Sequence, residues 1–317
     1  MRIIMAGTGP FAVPTFRELL ESSHEVVLLV TSPRRLCRGR PAARECPVRD
    51  VAAASGMPIF DPEDVNTPES VARLVEAAAD VLVVCDYGQI LSREALASAR
   101  LGGINLHGSL LPKYRGAAPV AWAICHGETT TGVTVIHMTP TVDAGPCIAQ
   151  ASTPIGPDET AAELEARLCR LGGPLVLRTL DALAAGNVRP IEQDPRLASR
   201  APRLKKEDGL IDWTRPAAAV KNHVRAMDPW PKAYTFWHRT GGEPARLILG
   251  PVTTVDSSGQ STPPGTVLEA SGDRLMVAAG EGAVLLQSLQ PAGKRMLPVD
   301  AFLRGYPVQP GERLGSV

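Results

Sequence analysis

The sequence predicts an α/β protein: a mainly parallel sheet in an N-terminal domain, then a linker, then a smaller barrel-like β domain. Three observations predict it. The first half alternates short apolar runs with amphipathic, Ala- and Leu-rich segments. A proline-containing stretch without periodicity follows, and the remainder is a series of short strands divided by Gly, Pro, Ser and Asp clusters. A chain of 317 residues also exceeds the roughly 100–200 residues of one domain.

In order along the chain, Ile3–Ala6, Val26–Val30, Val81–Cys85, Ile104–His107 and Thr134–Met138 read as strands. Between them Pro14–Ser22, Arg49–Ser55, Pro68–Ala79 and Ala117–His126 space their apolar residues as helices do. Such alternation gives a Rossmann-like, mainly parallel sheet covered on both faces. The amphipathic stretch Glu159–Ala185 is expected to close this domain, residues 1–187, as a long helix. Residues 188–206 suit a linker, since Gly186–Lys206 holds three prolines and little periodicity. Residues 207–317 contain a helix, Pro216–Ala226, and strands at Leu247–Leu249, Gly265–Leu268, Arg274–Ala278 and Ala283–Leu289. Short strands at close spacing predict a small, OB-like β-barrel. No internal repeat or low-complexity tract interrupts the pattern.

Composition sets the outer bounds. A hydrophobic content of 44% and a charged content of 21% supply one full core and a second, smaller one. Net charge is zero, so the molecule as a whole carries no electrostatic signature of a nucleic-acid partner. The distribution is less even: the C-terminal part is mildly basic and the N-terminal part mildly acidic. Within the acidic part sits a dense cluster, Arg34, Arg35, Arg38, Arg40 and Arg44. A solvated loop is the ordinary reading of such a cluster, and phosphate contact is the other. The six cysteines form no CxxC pair and read as reduced, mostly buried thiols of a cytoplasmic protein. The opening run to Gly7 reads as a first strand rather than a signal peptide. No apolar run approaches the roughly 18–20 residues of a membrane span.

Gly7-Thr8-Gly9-Pro10-Phe11-Ala12 fits G-x-G-x-x-A after a first strand, where a dinucleotide-binding fold places its phosphate turn. The acid that should grip a ribose after the second strand is missing, and Pro10 removes a backbone donor. Glycines permitting a tight strand-to-helix turn account for the motif. An NAD-dependent oxidoreductase is kept as the alternative it would support.

The informative stretch is Gly103-Ile104-Asn105-Leu106-His107-Gly108-Ser109-Leu110-Leu111-Pro112-Lys113-Tyr114-Arg115-Gly116. In a strand over Ile104–His107, Asn105 and His107 project from one face. They sit at its C-terminal end, where open α/β sheets build their sites. A lone histidine there would read as a satisfied core group. An amide two residues before it and a Gly-Ser turn after it point to chemistry. His126 and His137 lack metal-ligand spacing and read as structural, so no metal is expected.

N-x-H followed by S-L-L-P-x-aromatic-R-G resembles the folate-dependent formyltransferases. The companion acid of that family is matched by Asp143 in Thr141-Val142-Asp143-Ala144-Gly145-Pro146. The resemblance implies that Asn105, His107 and Asp143 are catalytic, with 10-formyltetrahydrofolate as formyl donor. An amine attacking a formyl carbon builds negative charge on oxygen. Asn105 can donate to that oxygen, and His107 can donate a second hydrogen bond or a proton. Asp143 within reach would orient the imidazole, favour its charged form and take the amine's proton through water. On its own, Asp143 could equally be a turn-forming residue. The resemblance also implies that Ser109, Leu110, Leu111 and Pro112, the segment Tyr87, Gly88, Gln89 and Ile90, and Pro140, Thr141 and Val142 line the folate site. Asp86 departs from the small apolar residue usual in relatives.

The likeness extends to Lys205-Lys206-Glu207-Asp208, Ile211-Asp212-Trp213, Asp228-Pro229-Trp230-Pro231 and Leu289-Gln290-Pro291-Ala292-Gly293-Lys294. Together these resemble the branch that formylates methionine on initiator tRNA, a step of translation initiation. In that branch a basic loop enters the tRNA acceptor stem, which implies tRNA contact for Arg34, Arg35, Arg38, Arg40 and Arg44, and by Lys205, Lys206 and Lys294. Lys113, Arg115 and Arg295 are further candidates. The expected partners are initiator Met-tRNA and reduced folate, with no membrane, and the chain is expected to act as a monomer. A UDP-aminosugar formyltransferase is the nearest alternative, and a non-catalytic tRNA-binding protein is the alternative from another class. Glycinamide ribonucleotide formyltransferases resemble only the first domain, and a formyltetrahydrofolate dehydrogenase would need a large additional one.

Overall fold

A computed structural model of the chain describes residues 1–33, 46–239, 242–256 and 262–316. The arginine cluster at 34–44 lies outside the described residues. Contacts divide the chain into two compact units. The first comprises Met1–Pro119, Thr130–Pro154 and Leu164–Pro202. The second comprises Val120–Thr129, Ile155–Glu163 and Arg203–Val317.

The first unit is built on a seven-stranded sheet. Its elements run β1 (Arg2–Gly7), α1 (Ala12–Glu21), β2 (Glu25–Val30), α2 (Pro47–Ala54), β3 (Ile59–Phe60), α3 (Pro68–Glu76), β4 (Val81–Cys85), α4 (Arg93–Leu96) and β5 (Gly103–His107). The chain then passes through α5 (Pro119–Cys125), β6 (Thr130–His137), β7 (Cys147–Pro154) and α6 (Ala161–Ala184). Strand order is β3-β2-β1-β4-β5-β6-β7. Pairing is parallel from β3 to β5 and antiparallel across β5–β6 and β6–β7. The central strands read as continuous apolar runs because both faces are covered: Ile3, Ile4, Met5, Leu82, Val83 and Ile104 are all at 0% exposure. One core gathers Ile4, Leu28, Leu74, Leu82 and Leu91. On the other face Leu106 meets α6 at Gly172, where an added Cβ would lie 2.4 Å from Leu106 Cδ2. Because side chains alternate along a strand, burying Leu106 there turns Asn105 and His107 to the opposite face.

The polar, small-residue strand β7 and the two-residue β3 escape a reading by apolar runs. The stretch 188–206, expected as a linker, is not free of the first unit. Ile191 bridges Cys147, Arg200 bridges Arg115, and residues through Pro202 group with the sheet.

The second unit holds α7 (Ala217–Ala226) and β8 (Tyr234–His238), β9 (Ala245–Leu249), β10 (Val252–Val255), β11 (Val267–Ser271), β12 (Arg274–Ala278), β13 (Ala283–Leu286), β14 (Ser288–Pro291) and β15 (Leu297–Pro298). It ends in α8 (Val299–Gly305) and β16 (Arg313–Gly315). These strands form two antiparallel sheets, β10-β13-β12-β11 and β15-β14-β9-β8-β16. A Thr266–Arg313 bridge links the two, the arrangement expected of a small barrel-like domain. The run expected as one strand, Ala283–Leu289, divides between the sheets at Gln287. Among the described residues no helix is long and apolar enough to cross a membrane, and the five described cysteines are free thiols.

Candidate functional site

The site forms at the C-terminal end of β5, within the first unit. Asn105 and His107 leave the strand on one face, and the loop carrying Asp143 brings its carboxylate onto both. Asn105 Nδ2 donates to Asp143 Oδ1 at 3.3 Å. His107 Nδ1 lies 3.6 Å from Asp143 Oδ2. That same oxygen accepts the backbone N–H of Gly116 at 2.9 Å. The side chains of His107 and Asp143 are only 6% and 12% exposed, so the contact is shielded from bulk water. Asp143 has a φ of +50°, in the left-handed region an L-residue enters at a cost. Strain of that kind persists where several contacts over-determine the backbone.

The ring of His107 is oriented from its other side. Nε2 lies 2.8 Å from the carbonyl oxygen of Tyr114. A carbonyl only accepts, so Nε2 carries the proton and Nδ1 is the nitrogen facing the carboxylate. Tyr114 occupies the tight turn after the S-L-L-P segment, with a φ of +63°. Gly116 follows with a φ of +122°, and a Cβ there would lie 2.5 Å from the carbonyl oxygen of Ala201. Only glycine allows that approach, and the approach aims its N–H at Asp143.

The loop after β5 is held by a hydroxyl whose bonding is complete. Sheet register sets Thr134 opposite His107 and Gln150 opposite Thr134. Thr134 Oγ1 donates to Ser109 O at 2.6 Å and accepts from Leu111 N at 3.1 Å and Gln150 Nε2 at 3.0 Å. One donor and two acceptor sites are all a threonine hydroxyl has. Gln150 also donates to Leu111 O, and Ser109 Oγ to Lys113 O.

The other expected site residues differ in exposure and in what they touch. Leu111 is buried, and its backbone bonds Thr134 and Gln150. Leu110 packs over Gly132, where a Cβ would meet its Cδ2 at 2.7 Å. Tyr87 to Ile90 follow β4. Tyr87 is half-buried with burial raising its phenol, and Gln89 braces the loop through Val65 N and Pro62 O. Ile90 is 65% exposed and Val142, beside Asp143, 48% exposed, so two loops leave apolar side chains uncovered. Arg115 is not a free surface cation: its guanidinium donates to Gln193 Oε1 at 3.0 and 2.7 Å. Lys205, Lys206 and Lys294 are exposed and belong to the second unit. Arg34, Arg35, Arg38, Arg40 and Arg44 lie outside the described residues. Among the described residues no group of three or more His, Cys, Asp or Glu side chains could hold a metal ion.

Sequence reasoning missed Thr134, Gln150, Gln193 and Ser199. A threonine between Val133 and Val135 and a glutamine in the facing strand are faint signals of the first two. Nothing local marks Gln193 or Ser199.

The glycine turn at residues 7–12 has a structural occupant. A Cβ on Gly9 would lie 1.8 Å from Asp86 Oδ2, and Thr8 N donates to Asp86 O at 3.0 Å. A carboxylate packed on this turn opposes a nucleotide phosphate by charge. Asp86, the residue unlike the family pattern, thus has a place against the turn, and the oxidoreductase alternative loses its one motif.

A formyl transferase family model matches residues 1–180, and a formyl transferase C-terminal domain model matches residues 203–307. The chain is 43% identical over 317 residues to a methionyl-tRNA formyltransferase of Geobacter sulfurreducens, covering 100% of this chain and 97% of the relative. It is 44% identical over 316 residues to one of Citrifermentans bemidjiense, with coverage of 100% and 97%. In fold it is similar to an N-formyltransferase from Helicobacter canadensis solved with folinic acid and dTDP-3-aminofucose, with TM-score 0.67, 16% identity, and coverage of 91% of this chain and 98% of that one. A glycinamide ribonucleotide transformylase from Symbiobacterium toebii, TM-score 0.52 at 20% identity, spans 61% of this chain and 94% of its own.

Proposed function

The chain belongs to the formyl transferase family, and from that membership we propose that it moves the formyl group of 10-formyltetrahydrofolate to the amino group of methionine on initiator tRNA. Relatives identical at 40–44% across the full chain are named methionyl-tRNA formyltransferases, which favours the tRNA acceptor over an aminosugar. The observation that carries the chemistry is the convergence of Asn105, His107 and Asp143, with only one ring nitrogen of His107 committed elsewhere.

These side chains suit acyl transfer to an amine. Asn105 spends one N–H on Asp143 and keeps its second for the formyl oxygen, where negative charge builds as the amine attacks. His107, fixed by Tyr114, presents Nδ1 as the second polar group. As the new carbon–nitrogen bond forms and the bond to the folate nitrogen breaks, the amine must lose a proton and the departing nitrogen must gain one. Asp143 is the acceptor within reach, directly or through water. The low exposure of His107 and Asp143 strengthens each of these interactions. The uncovered apolar side chains of Ile90 and Val142, on the two loops resembling the pteridine-lining segments, fit a flat heterocycle. The basic cluster Arg34 to Arg44 and Lys205, Lys206 and Lys294 provide charge for the tRNA backbone. This is a cytoplasmic reaction of translation initiation.

The test is a direct acceptor comparison. The protein is incubated with 10-formyltetrahydrofolate and either methionyl initiator tRNA or a UDP-aminosugar, and the formylated product is identified. Formylation of the sugar alone, or of neither, overturns the proposal.

A further inference from the structure

We propose that Gln193 is a positioning residue of this active site, holding the Asp143 loop in its reactive conformation. The inference rests on the reading above, in which Asp143 serves formyl transfer. Gln193 lies in the stretch that sequence reads as linker, 50 residues from Asp143 along the chain. Its amide is fully used. Nε2 donates to the carbonyl oxygens of Asp143 at 2.8 Å and Gly145 at 2.7 Å, and Oε1 accepts both Nε and Nη2 of Arg115. Two donors face two carbonyls and the oxygen faces a guanidinium, so the amide fits in one orientation only.

The need for such a hold is visible in the backbone. Asp143 sits at a φ of +50°, and its loop returns to the sheet where Pro146 O accepts from His137 N at 2.9 Å. In this conformation the carboxylate meets Asn105 and His107, and Gln193 bonds the carbonyls of Asp143 and Gly145 in the same loop. The same strand of chain grips the opposing turn. Ser199 Oγ accepts Tyr114 N at 2.9 Å, Ser199 O accepts Arg115 N, and Ala201 N donates to Arg115 O. Residues 193–201 therefore fasten both the turn that orients His107 and the loop that carries Asp143. Through Arg115 and Gln193 the two are joined to each other.

Gln193→Glu separates the two halves of this arrangement. It keeps the acceptor for Arg115 but has no N–H for the two carbonyls. Kinetics with methionyl initiator tRNA should show kcat lowered at least tenfold, with KM for both substrates within about twofold of wild type. In an Asp143→Asn background the same change should cost less than a further twofold, because Gln193 acts through Asp143. Arg115→Met, which leaves the amide donors in place, should cost less than Gln193→Glu. A wild-type kcat for Gln193→Glu overturns the proposal, and so does an undiminished loss in the Asp143→Asn background. Should Gln193→Glu not fold, Gln193→Ser is read by the same criteria. If the wild-type protein itself forms no formylated tRNA, it is the functional reading that fails.

Discussion

His107 gives its Nε2–H to the carbonyl oxygen of Tyr114 at 2.8 Å, which decides which side of the ring can act. Nδ1 alone remains for the cleft, 3.6 Å from Asp143. His107→Gln places an amide donor near the former Nε2, preserving the turn, but offers nothing in place of Nδ1. Formylation by that variant should fall at least about 100-fold, the scale of losing one acid–base or oxyanion group. Its thermal transition should stay near that of the wild type. Activity within tenfold of wild type would place the working nitrogen at Nε2 instead. Asp143→Ala should lose at least about 100-fold as well.

A second test concerns the glycine turn. Gly9→Ala brings a Cβ to within 1.8 Å of Asp86 Oδ2; Asp86 is exposed, so its carboxylate can swing aside, at a cost below the roughly 1–3 kcal/mol of overpacking a closed core. Asp86→Ala removes the obstructing carboxylate and should restore stability to the Gly9→Ala protein. Urea unfolding of the two single variants and the double measures the coupling. Strict additivity would mean that the two residues do not contend for one space.

The parts of this fold that sequence discloses are those written in contiguous residues. Apolar runs mark β1, β4 and β5, and the Asn105–His107 spacing marks the site on β5 because strand geometry turns i and i+2 the same way. Asp143 reaches them from 38 residues away along the chain, and only likeness to a family connects them beforehand. Gln193, Ser199, Thr134 and Gln150 act through long-range hydrogen bonds, which impose no periodicity. The stretch 188–206 reads as linker because it is irregular, yet irregular backbone can still pair, as Ile191 does with Cys147 and Ser199 and Ala201 do with Arg115. Strand β7 was illegible for a related reason. It is the edge strand of the sheet, beyond which, among the described residues, only Cys147 is bridged, and its residues are half-buried or exposed and need not be apolar.

Lys232 is a case where local chemistry and backbone disagree. It has a φ of +70° in the turn after Asp228-Pro229-Trp230-Pro231, a region costing an L-residue about 1–2 kcal/mol. Its ammonium pairs with Asp228, but both side chains are substantially exposed, and such pairs are worth little. Lys232→Gly should therefore gain about 0.5–1 kcal/mol after the added freedom of the unfolded chain is counted. Lys232→Ala keeps the strain and gains nothing. Calorimetric melting of the two variants distinguishes them, and equal transitions would show that the positive φ is not a source of strain.

Glu165 supplies the last prediction, through pH. It lies on α6, where burial pushes its carboxyl above the ordinary range and the nearby charge of Asp86 pushes it further. The folded protein thus holds this proton more tightly than the unfolded chain does. Between the ordinary carboxylate value and the raised one the native state binds more protons, so stability falls as pH rises through that window. Above it Glu165 is ionised in both states and the full cost of burying its charge remains. Glu165→Gln keeps the shape without the charge, so the variant should be more stable than wild type at pH 8. Below the ordinary glutamate range the carboxyl is neutral in both states and the advantage should vanish. Denaturant midpoints of both proteins across that span measure the difference. A constant gap at all pH values would mean that Glu165 acts through packing alone, and a gap opening toward acid would mean that its carboxylate is stabilised by the fold.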